Sequence, residues 1–198
     1  MSIDRKKVSL LLPEVSPVIS LAHGGEDCLD LLLKAGLPIV ITDQVLYEAT
    51  HGHKDGFPDA SAVREWYEKH KAKIKVVKTK IGEARAELMN VGKYDHKKFA
   101  NQGEASVLQA MNDGKIKPGP YLFLFEEEKM ANPSYFGAYP VHLISTYGFL
   151  VGLERAKIIS SADDILERIR LNGRPNFKAD ISIEEPEKLI NLQKSPTG

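Results

Sequence analysis

Short apolar runs alternate along this chain with stretches in which apolar residues recur every three or four positions, the pattern of buried strands feeding amphipathic helices. Residues 8–12 form the first run, and Ser16-Pro17 after it supply a helix cap and a proline suited to the first helical position. Residues 27–35 have helical spacing and stop at Gly36, residues 38–41 predict a second strand, and Thr42 or Asp43 caps a helix through Ala49. Beyond a glycine-rich polar loop at residues 51–58, residues 59–70 return to helix with Val63, Trp66 and Tyr67 on one side. Ile74–Val77 predicts a strand, residues 82–91 a helix, residues 93–98 a loop or a turn of helix, and residues 101–112 a helix that ends before Gly114. Tyr121–Phe125 and residues 141–144 predict two more strands, and Thr146 caps a helix to about Ala156. Ser161, with Asp164 in the third position, opens a closing helix that runs to Leu171 and stops at Gly173.

Strands alternating with helices predict an α/β protein whose mainly parallel central sheet is covered on both faces, a three-layer α/β/α sandwich. At 198 residues, 42% of them hydrophobic, the chain can bury one full-sized core. We place that core in a single domain over residues 1–180, followed by a charged, proline-containing tail at 181–198. Lysine plus arginine number 27 and so do aspartate plus glutamate, so any nucleic-acid contact has to come from a local patch or a bound cation. The single cysteine, Cys28, excludes an intramolecular disulfide and a multi-cysteine zinc site, and fits a reducing cytoplasm. Residues 1–7 are charged and the apolar run after them breaks at Pro13-Glu14, so we expect no signal peptide, no membrane span and a cytoplasmic location.

Acidic residues fall where a crevice at the carboxyl ends of parallel strands would collect them. Glu14 follows the first strand, Glu126 and Glu127 follow Tyr121–Phe125, and Glu48 and Glu104 lie on helices that would flank that edge. Carboxylates gathered from distant parts of a chain repel one another, which a proton or a cation relieves. An oxygen-rich donor set favours Mg2+ or Mn2+ over zinc, and a pair of such ions suits phosphodiester cleavage. Ordinary structural readings stand beside this one. Asn101 and Glu104 have capping-box spacing, Glu48 reads as a solvated helix residue, and Glu126-Glu127-Glu128 as the acidic first turn of a helix. Glu14 resists such a reading, because it is wedged between an apolar strand and Ser16-Pro17.

The segments Glu14-Val15-Ser16-Pro17, Val45-Leu46-Tyr47-Glu48, Gly103-Glu104-Ala105, Phe123-Leu124-Phe125-Glu126-Glu127, Ile144-Ser145-Thr146-Tyr147-Gly148-Phe149-Leu150 and the closing stretch 165–173 follow one another along the chain. In that order they resemble the motifs of the PIN-domain family, in its bacterial and archaeal branch related to VapC-type toxins, over about residues 8 to 180. The resemblance implies a metal-dependent endoribonuclease, commonly the toxin of a toxin–antitoxin pair, neutralised by a small antitoxin and often a homodimer. It implies that Glu14, Glu48, Glu104 and Glu127 are the catalytic set and that Glu14, Glu104, Glu126 and Glu127 hold Mg2+ or Mn2+. Ser16 and Thr146 would orient a carboxylate or a bound water.

Glutamates stand at positions 14, 126 and 127 where that family has aspartates, and Glu128 stands where it has Arg or Lys, with Lys129 one place later. Each added methylene moves a carboxylate by roughly 1.5 Å, one carbon–carbon bond, and a shift of that order costs about 100-fold in rate. A second expectation therefore stays open, a catalytically weak or inactive PIN-like protein serving as a binding or dimerisation module. A phosphatase- or receiver-like domain with a carboxylate nucleophile is disfavoured, because its chemistry prefers aspartate at position 14.

Lys69, Lys71, Lys73, Lys75, Lys78 and Lys80 form the densest basic stretch, with Lys93, Lys97 and Lys98 a second. Both suit RNA phosphates, and Lys73 and Lys75 equally suit the protection of an edge strand. His51-Gly52-His53 has no third ligand nearby in sequence, and His23 reads as a helix-end histidine close to Glu14. Trp66, Tyr67, Phe123 and Phe125 read as core, whereas Tyr135, Phe136 and Tyr139 suit base stacking, the core or a dimer interface alike.

Overall fold

The apolar runs become five short strands: β1 (Leu10–Pro13), β2 (Ile39–Thr42), β3 (Ile74–Val77), β4 (Tyr121–Phe125) and β5 (Val141–Ser145). A computed structural model describes residues 8–51, 58–95, 101–117, 119–127, 130, 136–137, 139–175 and 177. In it the strands lie in the order β3-β2-β1-β4-β5, every pair parallel. Both β2 and β4 are buried along their whole length. Strands covered on two faces need no polar side, which is why these sequences run apolar instead of alternating.

Eight α-helices among the described residues complete the three-layer sandwich. They are α1 (Val15–His23), α2 (Glu26–Lys34), α3 (Asp43–His51), α4 (Pro58–His70), α5 (Lys80–Asn90), α6 (Gly103–Asn112), α7 (Thr146–Arg155) and α8 (Ala162–Leu171). Leu11 and Phe123 of the sheet, Leu21 of α1, Leu29 and Leu32 of α2 and Leu150 of α7 are all 0% exposed, so the core is continuous from the central strands into the helical layers. No helix among the described residues is long and apolar enough to cross a membrane.

Helix starts differ from the sequence expectation in three instructive places. α1 begins at Val15, with Glu14 in the cap position and Pro17 in the third helical position, because the Glu14 N–H donates to Leu124 O at 2.9 Å and carries the sheet ladder one residue past β1. α7 is capped by Ser145, whose Oγ accepts from Gly148 N at 3.0 Å, and not by Thr146. α6 starts at Gly103 after Gln102, whose own side chain makes no capping hydrogen bond, so the Asn101–Glu104 capping box does not form. Elsewhere Thr42 Oγ1 accepts from Val45 N at 3.1 Å and Ser161 Oγ from Asp164 N at 3.0 Å, both as expected. α5 opens two residues ahead of its expected start, under a Thr79 cap.

Trp66, Phe123 and Phe125 are core, and Phe136 joins them with its ring 4.8 Å from that of Phe123. Tyr139 instead donates from its hydroxyl to Asn112 Oδ1 at 2.9 Å. Within the basic stretch, Lys69 pairs with Glu26, Lys71 with Glu68 and Lys80 with Asp113, while Lys75 is exposed on β3, an edge strand. His53, Lys97, Lys98, Glu128, Lys129, Tyr135 and the tail 181–198 lie outside the described residues.

Candidate metal centre

The strand order places β1 between β2, which follows it, and β4, which is reached only after the chain has visited β2 and β3. Connections diverge at such a switch point, and the crevice they leave lies beyond the carboxyl ends of the strands. Glu14 directly follows β1 and Glu126-Glu127 directly follow β4, and Pro13 is paired with Leu124 across the two strands. Glu104 enters from the first turn of α6. One carboxylate oxygen from each of Glu14, Glu104 and Glu127 lies within 4.8 Å of the other two. Glu14 is 2% exposed and Glu104 7%, while Glu127 is half-buried.

This proximity changes the chemistry of Glu14. Burial, a hydrogen bond to Glu104 and the charges of Glu104 and Glu127 together push its pKa from 4.5 up to about 9, against a smaller opposing pull from the Glu126 backbone. A carboxyl–carboxyl hydrogen bond requires a proton, so at neutral pH the pair holds one between its members. Even so, Glu14 Oε2 is buried and accepts no hydrogen bond. A buried acceptor without a donor, beside two more carboxylates, fits a hard divalent cation, which takes oxygen donors and replaces the proton.

Glu48 is placed one layer back. Its Oε1 accepts from Gln44 Nε2 at 2.7 Å and from Gln102 N at 2.9 Å, so it caps α6 from the neighbouring helix. Burial raises its pKa, and these hydrogen bonds oppose the rise. The carboxylate thereby fixes the turn that carries Glu104. Gly103 shows how close the helices come: a Cβ there would sit 2.8 Å from Val15 Cγ2, 3.2 Å from Val45 Cγ2 and 3.3 Å from Glu48 Oε2. Gly103→Ala should cost about 1–3 kcal/mol of stability by overpacking. It should also move Glu104, weakening a Mn2+-induced rise in melting temperature beyond what the lost stability explains. An unchanged melting curve would contradict the close packing of α6 on α1 and α3.

Glu126 leaves the cluster, contrary to its expected place among the metal ligands. Consecutive residues at a strand end point to opposite sides. Its Oε1 accepts from Thr146 Oγ1 at 2.8 Å and its Oε2 from Ser20 Oγ at 2.8 Å, with Arg174 Nη1 at 3.4 Å. Burial raises the Glu126 pKa, and Arg174 and the two hydroxyls hold the rise back. Thr146 does orient a carboxylate, but that of Glu126. Ser16 contributes through its backbone oxygen, which accepts from Arg174 Nη1 at 2.9 Å.

Sequence reasoning missed Ser20 and Arg174, which support Glu126, and Gln44, which supports Glu48. Ser20 did leave a signal, a polar residue 0% exposed inside the apolar stretch of α1. His23 points elsewhere, tying the ends of α1 and α8 through its Nδ1 contact with Asn172 O at 2.7 Å. The class these features define is an all-parallel α/β protein with a three-carboxylate cluster, able to bind a metal, at its sheet switch point. No family model matches the chain, and searches of curated proteins and of solved structures return no match.

Proposed function

We propose that the protein is a metal-dependent endoribonuclease of the PIN type that hydrolyses RNA phosphodiester bonds with Mg2+ or Mn2+. The convergence of Glu14, Glu104 and Glu127, with an unsatisfied buried oxygen on Glu14, carries the reading. The ordered PIN-like segments supply RNA as the substrate class and, with it, the role of a toxin held by a small antitoxin, in a homodimer, in the cytoplasm. Glu14, Glu104 and Glu127 would hold the cation, which supplies polarisation of the phosphoryl oxygens and a water acidic enough to attack at neutral pH. The chain's remaining contribution is positional. Glu48 keeps the first turn of α6 in place, and Ser20, Thr146 and Arg174 lock Glu126 beside Glu127.

Purified protein should cut single-stranded RNA in Mg2+ or Mn2+ and stop in EDTA. Glu14→Gln and Glu104→Gln should each lose on the order of 100-fold in rate or more, since changes even one layer behind a metal cost 10–100-fold. RNA left intact by the wild type in both metals would overturn the enzymatic reading. A second reading is favoured by the engagement of Glu48 and Glu126 in structural hydrogen bonds, which leaves three converging carboxylates where five were expected. The protein would then be a cation-binding PIN-like scaffold for association, and Mn2+ would raise its melting temperature without any cleavage.

A further inference from the structure

Two side chains of α3, the helix that carries Glu48, and one of α5 stack into a column. Tyr47 lies in its middle. The Arg85 guanidinium sits 4.0 Å from the Tyr47 ring centre, and the His51 ring stacks against Tyr47 at 4.2 Å and 20° between planes. Tyr94 meets Tyr47 edge-on at 6.0 Å and 88°. The column ends on His51, which is exposed.

Its parts are held in place. His51 Nδ1 lies 3.1 Å from Tyr47 O and 2.9 Å from Thr50 Oγ1, and since the carbonyl can only accept, Nδ1 carries the proton and Nε2 is left as an acceptor. Arg64 Nη2 donates to Thr50 O at 2.8 Å, which fixes a second guanidinium next to His51. Arg85 Nη1 donates to Gln44 Oε1 at 2.8 Å, and Gln44 in turn donates to Glu48. Glu48 and His51 are three residues apart on α3, so they are surface neighbours at a Cβ spacing of about 5–6 Å. Burial and the two arginines lower the His51 pKa against the opposing hydrogen bond to Tyr47 O, and the lowered pKa favours the neutral ring.

A rigid aromatic face, a hydrogen-bond acceptor at its edge and a fixed cation beside it match one unpaired nucleotide: base on ring, phosphate on guanidinium. We propose that the outer face of His51, backed by Tyr47 and Arg85 and flanked by Arg64, stacks the base of a single-stranded RNA nucleotide next to the one cut at the acid cluster. The choice of RNA rests on the ribonuclease reading above. The surface selects unpaired over duplex RNA, because a base already stacked in a helix offers it no face.

The test is binding of a short fluorescein-labelled oligouridylate in EDTA, with an RNA duplex as competitor. His51→Ala should weaken binding about 10-fold, as loss of one stacked base does, and His51→Phe, which keeps a ring, should restore most of it. Arg64→Ala should lower the slope of log affinity against log salt by about 0.7, one phosphate contact. Wild-type affinity in His51→Ala, or equal losses in His51→Ala and His51→Phe with unchanged melting temperatures, would overturn the stacking surface while leaving metal-dependent cleavage standing. Binding that depends on His51 in a protein that never cleaves would instead sink the ribonuclease reading and keep this surface. No binding of the oligouridylate by the wild type would also overturn the stacking surface, while the ribonuclease reading would still stand or fall on cleavage in Mg2+ or Mn2+.

Discussion

Metal-free protein should lose stability as the pH rises from 5 to 8, and Glu14→Gln should remove about 1.4 kcal/mol of that loss for each pH unit. In the unfolded chain Glu14 titrates near 4.5, whereas in the fold burial and the neighbouring Glu104 and Glu127 hold its pKa at about 9. Between those values the native state keeps a proton that the unfolded chain has released. The associated stability is complete below 4.5 and drains away as the pH climbs towards about 9. Glutamine mimics the protonated acid at every pH, so its variant lacks this part of the slope. Glu48 and Glu126 also have raised pKa values and contribute slopes of the same sign, which is why the difference between wild type and variant is the quantity to read. Urea unfolding in EDTA at several pH values measures it. A cation competes with the proton, so the stabilisation by Mn2+ should grow with pH in the wild type and largely vanish in Glu14→Gln. Parallel pH profiles for the two proteins would falsify the shared buried proton.

The sheet was legible in the sequence for a simple physical reason. Strands buried on both faces leave continuous apolar runs between turn residues, and Tyr121–Phe125 and Ile74–Val77 were read to the residue. That Glu14 and Glu127 share an edge also followed, from the rule that ligands gather beyond the carboxyl ends of neighbouring strands. The local chemistry of serine and threonine was less legible, because tertiary partners compete for their hydroxyls. Thr146 was available to donate to Glu126 because Ser145, one residue earlier, caps the helix. The family resemblance puts Glu127 and not Glu126 in the catalytic set, but strand periodicity alone leaves the choice between them open. Adjacent residues leave a strand on opposite sides, and only the placement of α1 and α7 decides which side holds the cluster and which holds Ser20 and Thr146. Arg174, 158 residues from Ser16, left no local trace of its role.

Arg174→Ala should destabilise the protein by about 3 kcal/mol at neutral pH, near the lower end of the range for breaking a buried ion pair. The lower end applies because the Arg174 side chain is 29% exposed, so water screens part of its charge, while that of Glu126 is only 11% exposed. Arg174 Nη1 also donates to Ser16 O at 2.9 Å and Ser20 Oγ at 2.7 Å, so its loss leaves the Glu126 carboxylate with Ser20 and Thr146 as side-chain donors and loosens the chain after α8. If the cost comes from stranding a charge, it depends on that charge being present. In a Glu126→Gln background Arg174→Ala should cost only about 1 kcal/mol, the worth of ordinary hydrogen bonds, and the double-mutant cycle should report the difference as coupling. The pH dependence has a definite sign. Removing the cation raises the Glu126 pKa further above its unfolded value, so the penalty is smallest where the carboxyl is protonated in both proteins and grows as the pH rises from the wild-type pKa towards that of the variant. A penalty of the same size at pH 4 and pH 8, or one that survives in the Glu126→Gln background, would assign Arg174 to packing alone. Because Glu126 precedes Glu127, Arg174→Ala should also weaken Mn2+ binding, and Arg174→Lys, which keeps the charge but not the forked donors, should fall between the two in both measurements.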